Sequence, residues 1–286
     1  MPEAKINIIK TLVLLFTTFI TISLISCDSG GKMPEKTTHP PSIKDIPDSA
    51  WKKLSKKRIY FGHQSVGFNI IDGIKDVMRE NPQIKLNIVE NSDPSEFNIP
   101  LFAHSRVGKN TDPKSKIDAF VSFMEKGIGG KADIASFKFC YVDVTARTDI
   151  DKIFDDYKNT MSRLKESYPR TKFIHMTVPL TVTKTSFKTW IKVIIKKKDI
   201  WEYDDNIKRN KFNDLLRNEF EGKELIFDLA KVESTHPDGR METFTKDGRT
   251  YYSLAPDYTD DGGHLNKKGR KTVAEQLLIL LTKLCE

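Results

Sequence analysis

Cysteine is scarce: the 286 residues hold three. One of them, Cys27, closes an apolar run, which leaves only Cys140 and Cys285 to pair in an oxidising compartment. Cys140 stands in an apolar, strand-like stretch and reads better as a buried thiol. Charge is missing altogether from Thr11 to Ile25. That run follows Lys5 and Lys10 and is short, which is the pattern of a secretory signal rather than of a membrane span. No internal repeat interrupts the chain. No nucleic-acid motif accompanies its 47 lysines and arginines, so the net charge of +8 points toward an anionic lipid or glycan surface and away from DNA or RNA. A metal centre is not expected either: Asp261 with His63 or His264 has no third ligand at familiar spacing.

What is present begins with "LISC". Ser26 followed by Cys27 resembles the lipobox of bacterial lipoproteins. The resemblance implies cleavage before Cys27 and lipidation of that residue; the alternative is an uncleaved N-terminal anchor. Either way the chain is expected to be exported and held at a membrane surface. Removing residues 1–26 takes away two lysines and one glutamate and leaves a net charge near +7. Residues 27–50 read as the lipidated cysteine and a flexible tether, because Pro, Ser, Gly and Lys dominate and little there can be buried. Residues 51–286 form the body, long enough for one sizeable core.

Within the body, strand and helix patterns alternate. "KRIYF" (57–61), "IKLNIVE" (84–90), "ADIASFKFCYVDV", "KFIHMTV" (172–178) and "ELIFDLA" (224–230) supply five strands. Helical spacing of apolar residues appears over 68–80, 114–126, from Asp149 to Pro169, near 206–220 and from Asn266 onward. The stretch holding "HSRVGKNTDP" reads as a loop. This alternation predicts an α/β fold in three α/β/α layers, with a five-stranded, mainly parallel sheet and ligands outside the carboxyl ends of the strands. Two segments break the rhythm. One is 181–205, with Trp190, Trp201 and a basic cluster; the other is 241–254, a hairpin around Asp247-Gly248.

The chemistry gathers in two places. "YFGHQSVG" offers Ser65 between a strand and a helix, where an ordinary serine would be a helix cap. "DYTDDGGHLNKKGR" places Asp261 three residues before His264, with Gly262 and Gly263 between them. A carboxylate at that distance on a tight turn can reach one ring nitrogen and fix the tautomer. The other nitrogen is then free to take the proton of a serine hydroxyl. His175, inside "FIHMTV", reads as a strand-end histidine rather than a base.

The chain order Ser, Asp, His, with the last two almost adjacent, resembles the SGNH/GDSL hydrolase superfamily. The blocks that carry the resemblance are "FGHQSVG", "RVGKNTD" and "DGGHLNKKG", spread over residues 57–286. It implies a flavodoxin-like fold of the SGNH type, with Ser65 as nucleophile, His264 as base, Asp261 as its orienting acid and no cofactor. It also implies that the N–H of Gly108 helps hold the oxyanion, with the Ser65 N–H as a second donor. Two blocks depart from the pattern. Gln64 stands where the superfamily has Asp, and "CYVDV" has no asparagine, which puts Asp143 at the oxyanion position. An ionised Asp143 there would have to turn away, be protonated, or pair with a neighbour such as Arg106 or His63. His63, Gln64 and Asn110 are candidate replacement donors and substrate contacts. The resemblance implies a membrane-tethered serine esterase whose substrate is a small ester or an acylated glycan. An O-acyltransferase acting on a polysaccharide and a non-catalytic glycan-binding lipoprotein are the alternatives.

Overall fold

Neighbouring residues along each main strand of the computed structural model enter opposite cores. It describes residues 42–183 and 203–285. Ile59 and Phe61 of β1 (Arg58–His63) face one cluster while Tyr60 faces the other. In β4 (Ile134–Phe137) and β5 (Lys172–Met176), Ile134, Ile174 and Met176 go to the first, and Ala135, Phe137 and Phe173 to the second. A period of two with both faces buried is what a parallel sheet between helical layers requires.

Among the described residues the sheet has six strands in the order β2-β3-β1-β4-β5-β6, every pair parallel. The other members are β2 (Ile88–Glu90), β3 (Leu101–Arg106) and β6 (Leu225–Phe227). Against one face lie α1 (Asp48–Leu54), α2 (Val66–Glu80), α6 (Leu229–Ser234) and α7 (Lys267–Lys283). Against the other lie α3 (Pro113–Phe123), α4 (Ile150–Ser167) and α5 (Tyr203–Phe220). On α2, Val66, Ile70, Ile71, Ile74 and Val77 are buried. Each contributes about 1.5–3 kcal/mol over leaving it exposed. A separate hairpin, β7 (Thr243–Lys246) and β8 (Arg249–Tyr252), turns at Asp247 and Gly248 with positive φ at both.

The three-layer expectation holds, with a correction to the strand count. Leu101–Arg106, placed by the sequence in a loop, pairs with β1 as a sixth strand. The segment over 84–90 pairs only at Ile88–Glu90. Gly108 therefore follows the third strand in chain order. Ordered structure begins before residue 51, where the sequence places the start of the body. Ser42 caps a short turn at Ile43–Asp45, and Ile43 and Ala50 are buried. Cys27 and its flanks lie outside the described residues, as do Trp190, Trp201 and the basic cluster between them. Among the described residues no helix is long and apolar enough to cross a membrane, and Cys140 and Cys285 are both free thiols.

The chain leaves β1 toward β2 and β3 on one side, then crosses to β4 on the other. The carboxyl end of β1, flanked by those of β3 and β4, is thus the topological switch point of the sheet, where ligands bind in open α/β folds.

Candidate active site

Ser65 occupies the two-residue turn between β1 and α2, at the switch point. Its backbone has φ 53° and ψ −115°, a conformation that costs a residue with a side chain on the order of 1–3 kcal/mol. It stands at the N-cap position, yet its side chain makes no cap hydrogen bond. The hydroxyl instead lies 2.7 Å from Nε2 of His264.

His264 sits on a tight turn ahead of α7, and that turn builds its own orienting acid. Asp261 Oδ1 accepts from the N–H groups of Gly263 (2.9 Å) and His264 (2.8 Å). Its Oδ2 accepts from His264 Nδ1 at 2.6 Å. With Nδ1 donating there, Nε2 is left as the acceptor for the serine hydroxyl. Partial burial pulls the Asp261 pKa up. The two N–H groups and the histidine ring outweigh that and hold it below the usual carboxylate range. The turn is tied to the helix that follows Ser65 by the Leu265 N–H, which donates to Asn69 Oδ1 of α2 at 3.2 Å.

Gly108 follows β3 with φ +54°, and a Cβ there would meet the backbone N of Lys116 at 2.5 Å. Only glycine fits both the conformation and the contact. Gln64 Nε2 donates to the carbonyls of Val107 (2.9 Å) and Gly108 (2.5 Å), which clamps the β3 loop to the β1 turn. Gln64 thus positions this loop, and its amide N–H groups are not left to meet a substrate. Neither the Ser65 nor the Gly108 N–H donates to another described residue.

Three sequence expectations are corrected. Asp143 does follow β4, but its carboxylate is turned away from any oxyanion. Oδ2 is 2.5 Å from Lys116 Nζ and accepts from Cys140 N–H, and Oδ1 accepts from Thr111 N–H. Its partner is Lys116, in a fully buried pair, rather than Arg106 or His63. The Arg106 guanidinium lies over the Phe68 ring at 4.8 Å. His63 is buried, with Nε2 3.0 Å from His104 Nδ1, so it offers nothing to a substrate. Burial and the nearby Lys138 charge push its pKa down to about 2. Asn110 is exposed, and its side-chain carbonyl accepts from Lys116 Nζ at 3.0 Å. His175, as expected, is a strand residue, bonded to Tyr157 (2.7 Å) and Glu224 (2.8 Å) rather than to Ser65 or Asp261. Among the described residues no three metal-ligating side chains converge.

Sequence reasoning passed over Tyr141. It is buried; its ring meets that of His264 edge-on with centroids 5.6 Å apart, and its hydroxyl stands next to the Ser65 side chain. Arg209 of α5 fixes the loop beneath it by donating from Nε to the carbonyls of Tyr141 (2.8 Å) and Val144 (3.0 Å). The available signal was position: Tyr141 is the one hydroxyl in "CYVDV", the block that lacks asparagine.

No protein-family model matches the chain, and no curated protein matches it. Solved structures similar to it are GDSL-like lipases and esterases. A GDSL-like lipase from Bacteroides thetaiotaomicron aligns with a TM-score of 0.49 at 14% identity, covering 84% of this chain and 93% of that one. A carbohydrate esterase family 3 structure from Talaromyces cellulolyticus gives 0.43 at 15%, covering 80% and 96%. The periplasmic domain of a lipopolysaccharide acetyltransferase from Salmonella ser. Paratyphi A gives 0.45 at 11%, covering 78% and 83%.

The body is a parallel three-layer α/β/α fold, and its serine after β1 and Asp-x-x-His turn ahead of the last helix stand where the sequence resemblance to SGNH/GDSL hydrolases implies them. This chain diverges from that pattern in its serine block and after β4, where Tyr141 and a buried ion pair stand in place of asparagine.

Proposed function

We propose that the protein is a serine ester hydrolase that removes a short acyl group from a glycan or another cell-envelope ester. The observation that carries this reading is the destination of the Ser65 hydroxyl. A strained serine at a helix start forgoes its cap and bonds a histidine whose other nitrogen is held by a carboxylate. In the reaction, Ser65 Oγ attacks the ester carbonyl as His264 Nε2 takes its proton. The carbonyl π pair moves onto oxygen, facing the uncommitted N–H groups of Ser65 and Gly108. His264 then protonates the departing alcohol, activates water and returns the proton to Ser65 as the acyl group leaves.

The His264 side chain is 43% exposed, which suits a bulky alcohol such as a glycan on the leaving side. Export and lipidation at Cys27, supported by the "LISC" sequence, would bring the enzyme to envelope esters. Transfer of the acyl group to a sugar hydroxyl would use the same residues.

Ser65→Ala and His264→Ala should each lower hydrolysis of p-nitrophenyl acetate by roughly 10⁴-fold, and the double variant should be hardly worse than either. Full activity in Ser65→Ala would sink the mechanism. No hydrolysis by the wild type, with or without glycan acceptors, would leave a binding protein. Acyl transfer exceeding hydrolysis when acceptors are added would make it a transferase.

A further inference from the structure

We propose that the Tyr141 hydroxyl is the side-chain donor of the oxyanion hole, completing it from β4 in place of an amide. The inference rests on Ser65 being the nucleophile.

Three adjacent parallel strands end side by side at this point, followed by the turn after β1 with Ser65, the loop after β3 with Gly108 and the loop after β4 with Tyr141. The third position holds no asparagine, and Asp143, the one carboxylate there, is spent on Lys116, Cys140 and Thr111. What remains pointing at the serine is a phenol. Its hydroxyl stands next to the Ser65 side chain. It also lies so close to the base turn that a Cβ on Gly263 would sit 3.1 Å from it. Arg209 anchors the Tyr141 carbonyl from below, with its guanidinium carbon 5.7 Å from the ring centroid. A donor anchored through its backbone carbonyl and packed on its ring costs little reorganisation during the reaction.

At rest Ser65 O–H donates to His264 Nε2, which leaves the Ser65 Oγ lone pairs to face the Tyr141 O–H beside them. On attack, the Oγ lone pair becomes the new C–O bond and the serine proton passes to His264. The carbonyl π pair becomes the oxyanion. Tyr141 O–H then loses a neutral acceptor just as a charged one forms beside it. Exchanging a neutral acceptor for an anion strengthens the bond in the transition state relative to the ground state, the condition for raising kcat. Burial, followed by the Asp261 charge, pushes the Tyr141 pKa up to about 12. The phenol therefore keeps its proton at neutral pH and acts as a donor throughout.

Tyr141→Phe removes the hydroxyl and keeps the ring between His264 and Arg209, so folding should be retained. Its kcat on p-nitrophenyl acetate should fall roughly 10²–10³-fold, with KM little changed and the melting temperature unmoved. Phenylboronic acid, whose tetrahedral serine adduct carries an oxygen in the oxyanion position, separates stabilisation from mere positioning of Ser65. Its inhibition constant should rise by a factor comparable to the loss in kcat. A fall in kcat with the boronate constant unchanged would show that the hydroxyl only orients Ser65, and would overturn the oxyanion assignment. An unchanged kcat in Tyr141→Phe, beside an active wild type, would overturn this inference alone. An inactive wild type would overturn the hydrolase reading and this inference with it.

Discussion

Glu233 is fully buried on α6; one carboxyl oxygen accepts from the Leu180 N–H, and the other has no partner among the described residues. Burial pushes its pKa up to about 8, against the opposing pull of that N–H, Lys138 and Arg209. The folded chain therefore carries this carboxyl protonated at neutral pH, whereas the unfolded chain ionises it near 4.5. Stability from this group is fully present below pH 4.5 and is lost as pH rises toward 8, on the order of a few kcal/mol. Melting temperature should decline across that window in the wild type. A Glu233→Gln variant should show a flatter profile and melt higher than the wild type at pH 8.5. Parallel profiles would refute the assignment, because only the difference between the two curves reports this residue. Such a group was not legible in the sequence: "KVESTH" reads as an ordinary polar helix end, and nothing local says that Leu180 will cap it. The convergence of Ser65, Asp261 and His264 was legible because each of them stands on a local turn. A strand-to-helix junction and an Asp-x-x-His spacing survive projection onto one dimension, whereas a buried pair 27 residues apart, such as Lys116 and Asp143, does not.

At the level of elements, five strands were found and the one with two adjacent polar residues before an arginine was missed. Leu101–Arg106 reads "LFAHSR" after a proline. His104 and Ser105 suggested a loop, yet His104 is buried against His63, and Ser105 Oγ bonds the Tyr60 hydroxyl at 2.7 Å. Tertiary partners satisfied the polar groups that had argued against a strand. The same logic governs the loop after β4. Its carboxylate, Asp143, ties together three segments: the β3 loop through Thr111, α3 through Lys116 and its own turn through Cys140. Asp143→Asn keeps the shape but leaves the Lys116 ammonium buried without a counter-charge, which costs about 3–5 kcal/mol. A fall in melting temperature on the order of 10 °C is expected, with the shape of the pH–rate profile preserved. Unchanged stability together with a raised kcat would return Asp143 to the oxyanion position.

For the whole molecule, we propose a basic body tethered to a cell-envelope membrane through Cys27. Cys27→Ser should abolish incorporation of a labelled fatty acid and leave unprocessed precursor; labelling equal to wild type would remove the anchor from the proposal. Where the body begins is a matter of packing. Ile43 joins the core cluster of α1, α2 and α7, so a chain starting at residue 40 should melt with the full-length protein. One starting at Trp51 forfeits that contact and the first turn of α1, and should melt lower. The sheet that organises this body has one further consequence, for behaviour at high concentration. Its two outermost strands, β2 and β6, are only three residues long. An open parallel sheet must expose two borders of unpaired N–H and C=O groups, and a long border is a template for recruiting another chain. Borders this short give an intruding strand too few hydrogen bonds to hold it, so the native protein should resist ordered self-association even where its neighbours on a crowded membrane are copies of itself.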